Sequence, residues 1–127
     1  AGSVFIPNAL NVDIVEEYNP ATDQWILRAP MPTARSATTW GVFGGRLYVA
    51  GGEIRHRDFW GTYTTVEAFD PKSNGWARLP PMPLPRHGLA GGVIGNRFHV
   101  VSGSVQSGTN IPGLVTNTDR HDVLVFE

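Results

Sequence analysis

The chain repeats itself. Residues 15–53 fall on residues 66–104 at a constant offset of 51 with no gap. Val15 meets Val66, Glu16 meets Glu67, Pro20 meets Pro71, Trp25 meets Trp76, and Pro30-Met31-Pro32 meets Pro81-Met82-Pro83. The match runs on through Arg35 and Arg86, Gly41-Val42 and Gly92-Val93, Gly44 and Gly95, Arg46 and Arg97, Val49 and Val100, and Gly52 and Gly103. A period near 50 residues constrains the fold more than any composition does. Each period must be one supersecondary unit that buries its apolar surface against the next.

Within one period the apolar runs are short and rich in Val, Ile, Phe, Tyr and Trp, and turn residues separate them. No window shows sustained helical periodicity, so an all-β chain is expected. The complete unit reads as four strands, Ser36–Phe43, Arg46–Ala50, Thr65–Asp70 and Gly75–Leu79. Gly44-Gly45, like Gly95-Asn96, is a two-residue hairpin turn of the kind that needs positive φ. Asp70-Pro71-Lys72-Ser73-Asn74-Gly75, matched by Asn19-Pro20-Ala21-Thr22-Asp23-Gln24, joins the third and fourth strands through turn-forming Pro and Asx residues. Two hairpins in series predict a four-stranded antiparallel sheet in each period.

The sequence resembles the kelch-repeat family of β-propellers at the residues that mark it. Leu47-Tyr48-Val49-Ala50-Gly51-Gly52 is similar to the family's second strand and double glycine. Glu67-Ala68-Phe69-Asp70-Pro71 resembles its aromatic third strand, and Trp76 its fourth-strand tryptophan, followed by Pro-Met-Pro and Arg. The second copy departs at Val101-Ser102-Gly103-Ser104, where Ser102 stands in place of Gly51, as in a terminal blade. The resemblance implies kelch-type propeller blades of four antiparallel strands over residues 1–127. Residues 1–35 would hold strands three and four of a first blade, 36–86 a complete blade, and 87–127 strands one to three of a last, ending with Val123–Phe126. About two and a quarter blades make an incomplete ring in one chain, whereas closure takes 4–8 blades. Either the chain is the carboxyl-terminal part of a longer propeller, or further copies of itself complete a propeller ring.

Function is read from where the copies differ. Antiparallel alternation places the loops between strands two and three on the same face as the connections between blades. Those loops are long, about 3–13, 53–64 and 104–122, and long loops on a rigid sheet carry recognition. One holds Arg55, His56, Arg57, Asp58, Phe59, Trp60 and Tyr63; another holds Gln106, Asn110, Asn117, Asp119, Arg120 and His121. Aromatic residues with Arg are the composition of binding hot spots. Arg35 and Arg86 recur at the connection into each blade, where they face the central channel or brace the carbonyls of a neighbouring blade, and recurrence favours the brace. His87, opposite Ser36 in the other copy, is the better candidate for a specific contact. Trp25, Trp76, Tyr18 and Phe69 read as packing, and His99, in the slot of Tyr48, as a core histidine.

The leading expectation is therefore a binding module that presents long loops and a channel mouth to a protein or peptide. Its ligand-binding candidates are Arg35, Arg86, His87, Glu53, Arg55, His56, Trp60, Tyr63, Arg120 and His121. The alternatives are a carbohydrate-active enzyme such as a sugar mutarotase or epimerase-like propeller, and a piece without independent activity. The resemblance also extends to galactose-oxidase-like copper enzymes, but a chain with no cysteine cannot form their cysteine-modified tyrosine. A mutarotase-like site would draw on Arg35, Arg86, His87 and Glu53. No catalytic residue, metal or cofactor is expected: His56-Arg57-Asp58 spells a kinase triplet without its companions, and His56, His87, His99 and His121 form no close ligand pair. Net charge is −1 with no basic run, which argues against nucleic acid. No apolar run nears the roughly 18 residues of a membrane helix, so no membrane partner is expected. The compartment is left open.

Overall fold

The computed structural model describes residues 11–56, 59–107 and 116–127. The described chain contains eleven strands and no helix: β1 (Glu16–Asn19), β2 (Gln24–Leu27), β3 (Thr39–Phe43), β4 (Arg46–Ala50), β5 (Glu53–Arg55), β6 (Trp60–Thr62), β7 (Val66–Asp70), β8 (Gly75–Arg78), β9 (Ala90–Ile94), β10 (Arg97–Val101) and β11 (His121–Val125). They form a β1-β2 ribbon, a sheet in the order β3-β4-β7-β8, a sheet in the order β9-β10-β11, and a separate β5-β6 hairpin. Every pairing is antiparallel. Having no helix long and apolar enough to cross a membrane follows from the same list.

The turn chemistry works as its residues require. Gly44 and Gly45 both take positive φ, at 56° and 75°, which matches the twist of the β3-β4 hairpin. Asp23 and Asn74 take the same left-handed conformation, at 54° and 51°, in the two matching β1-β2 and β7-β8 turns. Asx residues tolerate that conformation better than other non-glycines do.

The middle and last sheets pack face to face. Tyr48, Ala50, Val66 and Ala68 from one meet Phe98, Val100 and Phe126 from the other, with Met82 and the partly buried Phe43 and Leu124 completing the cluster. Phe126 stacks on Phe43 at 4.5 Å and tilts against Tyr48 at 4.4 Å. Their innermost strands, β3 and β9, approach so closely that a Cβ on Gly91 would stand 2.7 Å from Thr39 Oγ1 on β3, and it would also stand 2.8 Å from the His99 carbonyl oxygen of its own sheet. Tyr48, Phe98 and Phe126 lie on or beyond the second strands while glycines stand on β3 and β9, so the contact narrows toward the inner strands into a wedge.

Several local readings change. The strand expected from Ser36 starts at Thr39, because Ser36 is held instead in an isolated bridge with Glu53. The long 53–64 loop contains the β5-β6 hairpin. The final strand lies at His121–Val125, which leaves Phe126 free to enter the core. Trp25 was expected to pack but is 65% exposed, and Tyr18 is exposed too, since no sheet among the described residues covers their face. Phe69, at the matching position, is buried. His99 is half-buried and lies 2.9 Å from His121 through Nδ1 and Nε2.

Candidate functional site

The two recurring arginines are braces. Arg35 is 3% exposed and Arg86 is fully buried. Arg35 donates from Nε to the Gly51 carbonyl (2.8 Å), from Nη2 to Val49 (3.1 Å), and from Nη1 to Thr33 (3.1 Å) and to the Glu67 carboxylate. Arg86 repeats the set with Ser102 (2.8 Å), Val100 (3.2 Å), Leu84 (3.2 Å) and Asp122 (2.9 Å). The carbonyls belong to the sheet that each arginine enters, not to a neighbouring one as the sequence suggested. The planar fork explains the residue type, because only guanidinium can reach a strand's carbonyls and a carboxylate together. With these bonds made, both side chains are buried in the sheets that they brace.

Glu53 and His87 converge with Arg55. The Ser36↔Glu53 bridge starts β5, and the matching His87↔Ser104 bridge sits in the next unit. These bridges bring the β5-β6 hairpin alongside the 104–107 segment. Glu53 is buried there. Its Oε1 lies 3.1 Å from Arg55 Nε, and its Oε2 accepts a 2.7 Å bond from the Ser107 hydroxyl and lies 3.7 Å from His87 Nδ1. His87 Nε2 lies 2.8 Å from the Gln106 carbonyl oxygen, which makes Nε2 the protonated nitrogen. Thr62 Oγ1 adds a 3.1 Å bond to the Val105 carbonyl. The result is a polar lock that joins the hairpin of one sheet to the loop of the next.

Serine, histidine and a carboxylate in one cluster invite a test for nucleophilic catalysis, and the geometry fails it. Ser107 donates to Glu53 rather than to His87, and His87 turns its protonated nitrogen toward a backbone carbonyl. The hydroxyl faces a carboxylate and not an imidazole nitrogen, so the serine–histidine bond of such a triad is missing. The lock instead stiffens the floor of an open groove of about 490 Å³, lined by Phe59, Trp60, Gly61, Thr62, Val105, Gln106 and Ser107. Phe59 and Trp60 are both exposed at its rim.

Of the remaining candidates, Trp60 lines the groove and His56 sits at the hairpin tip, its backbone bonded to Phe59. Tyr63 is half-buried just past β6, and its backbone bonds to Gly52 and Arg86. Arg120 and His121 lie elsewhere, at the start of β11, where Arg120 pairs with Asp122 at 3.0 Å and His121 with His99. Arg57, Asp58 and Asn110 fall outside the described residues. Among the described residues no group of three or more His, Asp or Glu could hold a metal. Ser107 and Gln106 complete the lock, and sequence reading named Ser107 nowhere. A lone serine in a polar loop gives no signal until its carboxylate partner is located.

One four-stranded antiparallel sheet, packed on a three-stranded one of matching order and with a buried arginine bracing the entry to each, has the form of propeller blades of the kelch type. A family model for the kelch motif matches residues 34–83. The chain is 30% identical over 96 residues to Kelch-like protein 15 of Gallus gallus, covering 76% of this chain and 19% of that protein. It is 32% identical over 92 residues to Kelch-like protein 26 of Danio rerio, covering 72% and 14%. It is 29% identical over 105 residues to Kelch-like protein terF of Aspergillus terreus, covering 82% and 23%. The solved structure of YjhT superposes with a TM-score of 0.65 at 24% identity, over 77% of this chain and 30% of that one, a likeness of fold alone. The chain belongs to the kelch-repeat family, and it spans less than a quarter of the length of these curated relatives.

Proposed function

We propose that the chain is a recognition module that captures a protein or peptide partner in the groove between the β5-β6 hairpin and the 104–107 segment. The observation that carries this reading is the pairing of exposed Phe59 and Trp60 with a polar floor already locked by Glu53, Arg55, His87 and Ser107. Aromatic side chains lose little entropy when they dock, and a preorganised floor spares the partner the cost of ordering it. Groove polarity is supplied by Thr62, Gln106 and Ser107, which suits an extended backbone with its own donors and acceptors. Kinship with kelch-like proteins supports a binding role.

The test is selection of peptides on the intact chain from a random library, followed by affinity measurement with the selected peptide. Trp60→Ala is expected to weaken binding by at least tenfold while the unfolding midpoint hardly moves. A selected peptide that binds Trp60→Ala and wild type equally well would place recognition elsewhere.

A further inference from the structure

Parity along the β5-β6 hairpin decides which backbone groups it uses up. His56 and Phe59 exchange both bonds, His56 N–H to the Phe59 carbonyl at 2.8 Å and Phe59 N–H to the His56 carbonyl at 3.3 Å. In an antiparallel pair such doubly bonded partners alternate with partners that do not bond each other. Ile54 and Gly61 are therefore the next bonded pair, and Tyr63 N–H continues the series to the Gly52 carbonyl at 2.9 Å. The pairs between them, Arg55 with Trp60 and Glu53 with Thr62, turn their backbone groups away from the hairpin. On the β5 side Glu53 spends them on two bonds with Ser36, at 3.1 and 2.9 Å, and the Arg55 carbonyl accepts from Asn11 Nδ2 at 3.3 Å. On the β6 side the N–H and C=O groups of Trp60 and Thr62 have no hydrogen-bond partner among the described residues.

Two donors and two acceptors on alternate residues make an open strand edge. The edge belongs to the groove, because Trp60, Gly61 and Thr62 line it and Gly61 brings no side chain to screen the backbone. Native edges are commonly blunted by charged residues, by Pro or by a bulge. Phe59-Trp60-Gly61-Thr62-Tyr63 has neither a charge nor a proline, and the pairing of β5 with β6 runs without a bulge. In the opposite wall stands Gln106, whose side-chain amide is unbonded among the described residues and offers one more donor and acceptor.

We propose that an extended segment of a protein partner adds to β6 as a third strand, exchanging backbone bonds with Trp60 and Thr62. The inference rests on the recognition reading of the groove and states how its partner is held. An extended chain offers donors and acceptors at the same two-residue spacing, whereas a helix has spent its own internally. Affinity then comes from the backbone, and selectivity from the alternate side chains that fall on the face shared by Trp60 and Thr62. The test is amide exchange, resolved by residue, on the intact chain with and without the library-selected peptide. In the free chain Gly61 is expected to be protected by Ile54, and Trp60 and Thr62 to exchange freely. With peptide bound, both free amides should slow by about tenfold or more. Methylating the peptide nitrogens one at a time should weaken binding about tenfold at alternate residues and hardly between them, since each methyl removes one donor and keeps the side chain. A peptide that needs Trp60 yet leaves both amides unprotected, or whose methylation profile lacks a period of two, overturns this inference and spares the recognition reading. If no selected peptide depends on Trp60, both fall.

Discussion

Arg35 shows what one residue contributes when four hydrogen bonds hold its guanidinium. Its guanidinium ties the 33–35 connection to β4 carbonyls and to Glu67 on β7, all out of water. Removing one partner leaves a buried charge uncompensated, at a cost of about 3–5 kcal/mol. Glu67→Gln is therefore expected to lower the urea midpoint sharply, whereas Arg46→Gln, which breaks the exposed pair with Asp70, should change stability by less than about 1 kcal/mol. Ser102 gives the opposite sign. It holds φ 59° where the preceding unit has Gly51 at 65°, and a left-handed non-glycine costs roughly 1–2 kcal/mol. After the greater unfolded-state freedom of glycine is subtracted, Ser102→Gly should stabilise by about 0.5–1 kcal/mol in equilibrium unfolding. Asp70 supplies a pH term. The backbone N–H of Lys72, then those of Ser73 and the Arg46 charge, hold its carboxyl below the usual range against a smaller opposing effect of burial. A depressed carboxylate adds stability that is present above its unfolded value, about 4, and lost as pH falls through the folded one. Asp70→Asn should flatten the acid-side decline in the unfolding midpoint.

At the scale of elements, the repeat made the four-stranded sheet legible, because turn residues and strand-length apolar runs recur in register. The β5-β6 hairpin escaped for a physical reason: Glu53-Ile54-Arg55 and Trp60-Gly61-Thr62 are too short to show alternation. The carboxylates that meet the arginines were hidden differently. Glu67 and Asp122 hold the same place on β7 and β11, opposite Val49 and Val100, yet an ungapped slide sets Thr118 against Glu67. Extra residues in the later loop push the third strand out of register. His87 was legible as a difference between copies and Glu53 as an acidic candidate, but their joint with Ser107 requires two units folded side by side. The hairpin should depend on that joint. Ser107→Ala leaves one oxygen of buried Glu53 without its hydroxyl donor, and a cost of about 1–3 kcal/mol is expected, with faster amide exchange in β5 and β6.

For the whole molecule, the wedge between sheets sets the geometry. Gly91 lies where β9 passes β3, and the atom nearest an added Cβ on β10 is a backbone oxygen that cannot move aside. Gly92, next in the chain, has nothing within 4 Å of the same construction. Gly91→Ala should destabilise by about 1–3 kcal/mol and loosen the contact between sheets, while Gly92→Ala should be close to neutral in the same unfolding assay. The sequence implied an incomplete ring, but which side chains of each sheet share a face, such as Tyr18 with Trp25 and His99 with Val123, needed strand register.

The two braces also decide what can be exchanged. Arg35 and Glu67 are 32 positions apart, Arg86 and Asp122 are 36, and the bonds they make correspond. Each pair clamps the start of its sheet to the strand that follows the insertion, so the chain between second and third strands behaves as a cassette seated in a fixed socket. Foreign segments of different length should be graftable between Glu53 and Tyr63 without disturbing the clamp. The scaffold would then serve as a chassis whose specificity is rewritten one cassette at a time.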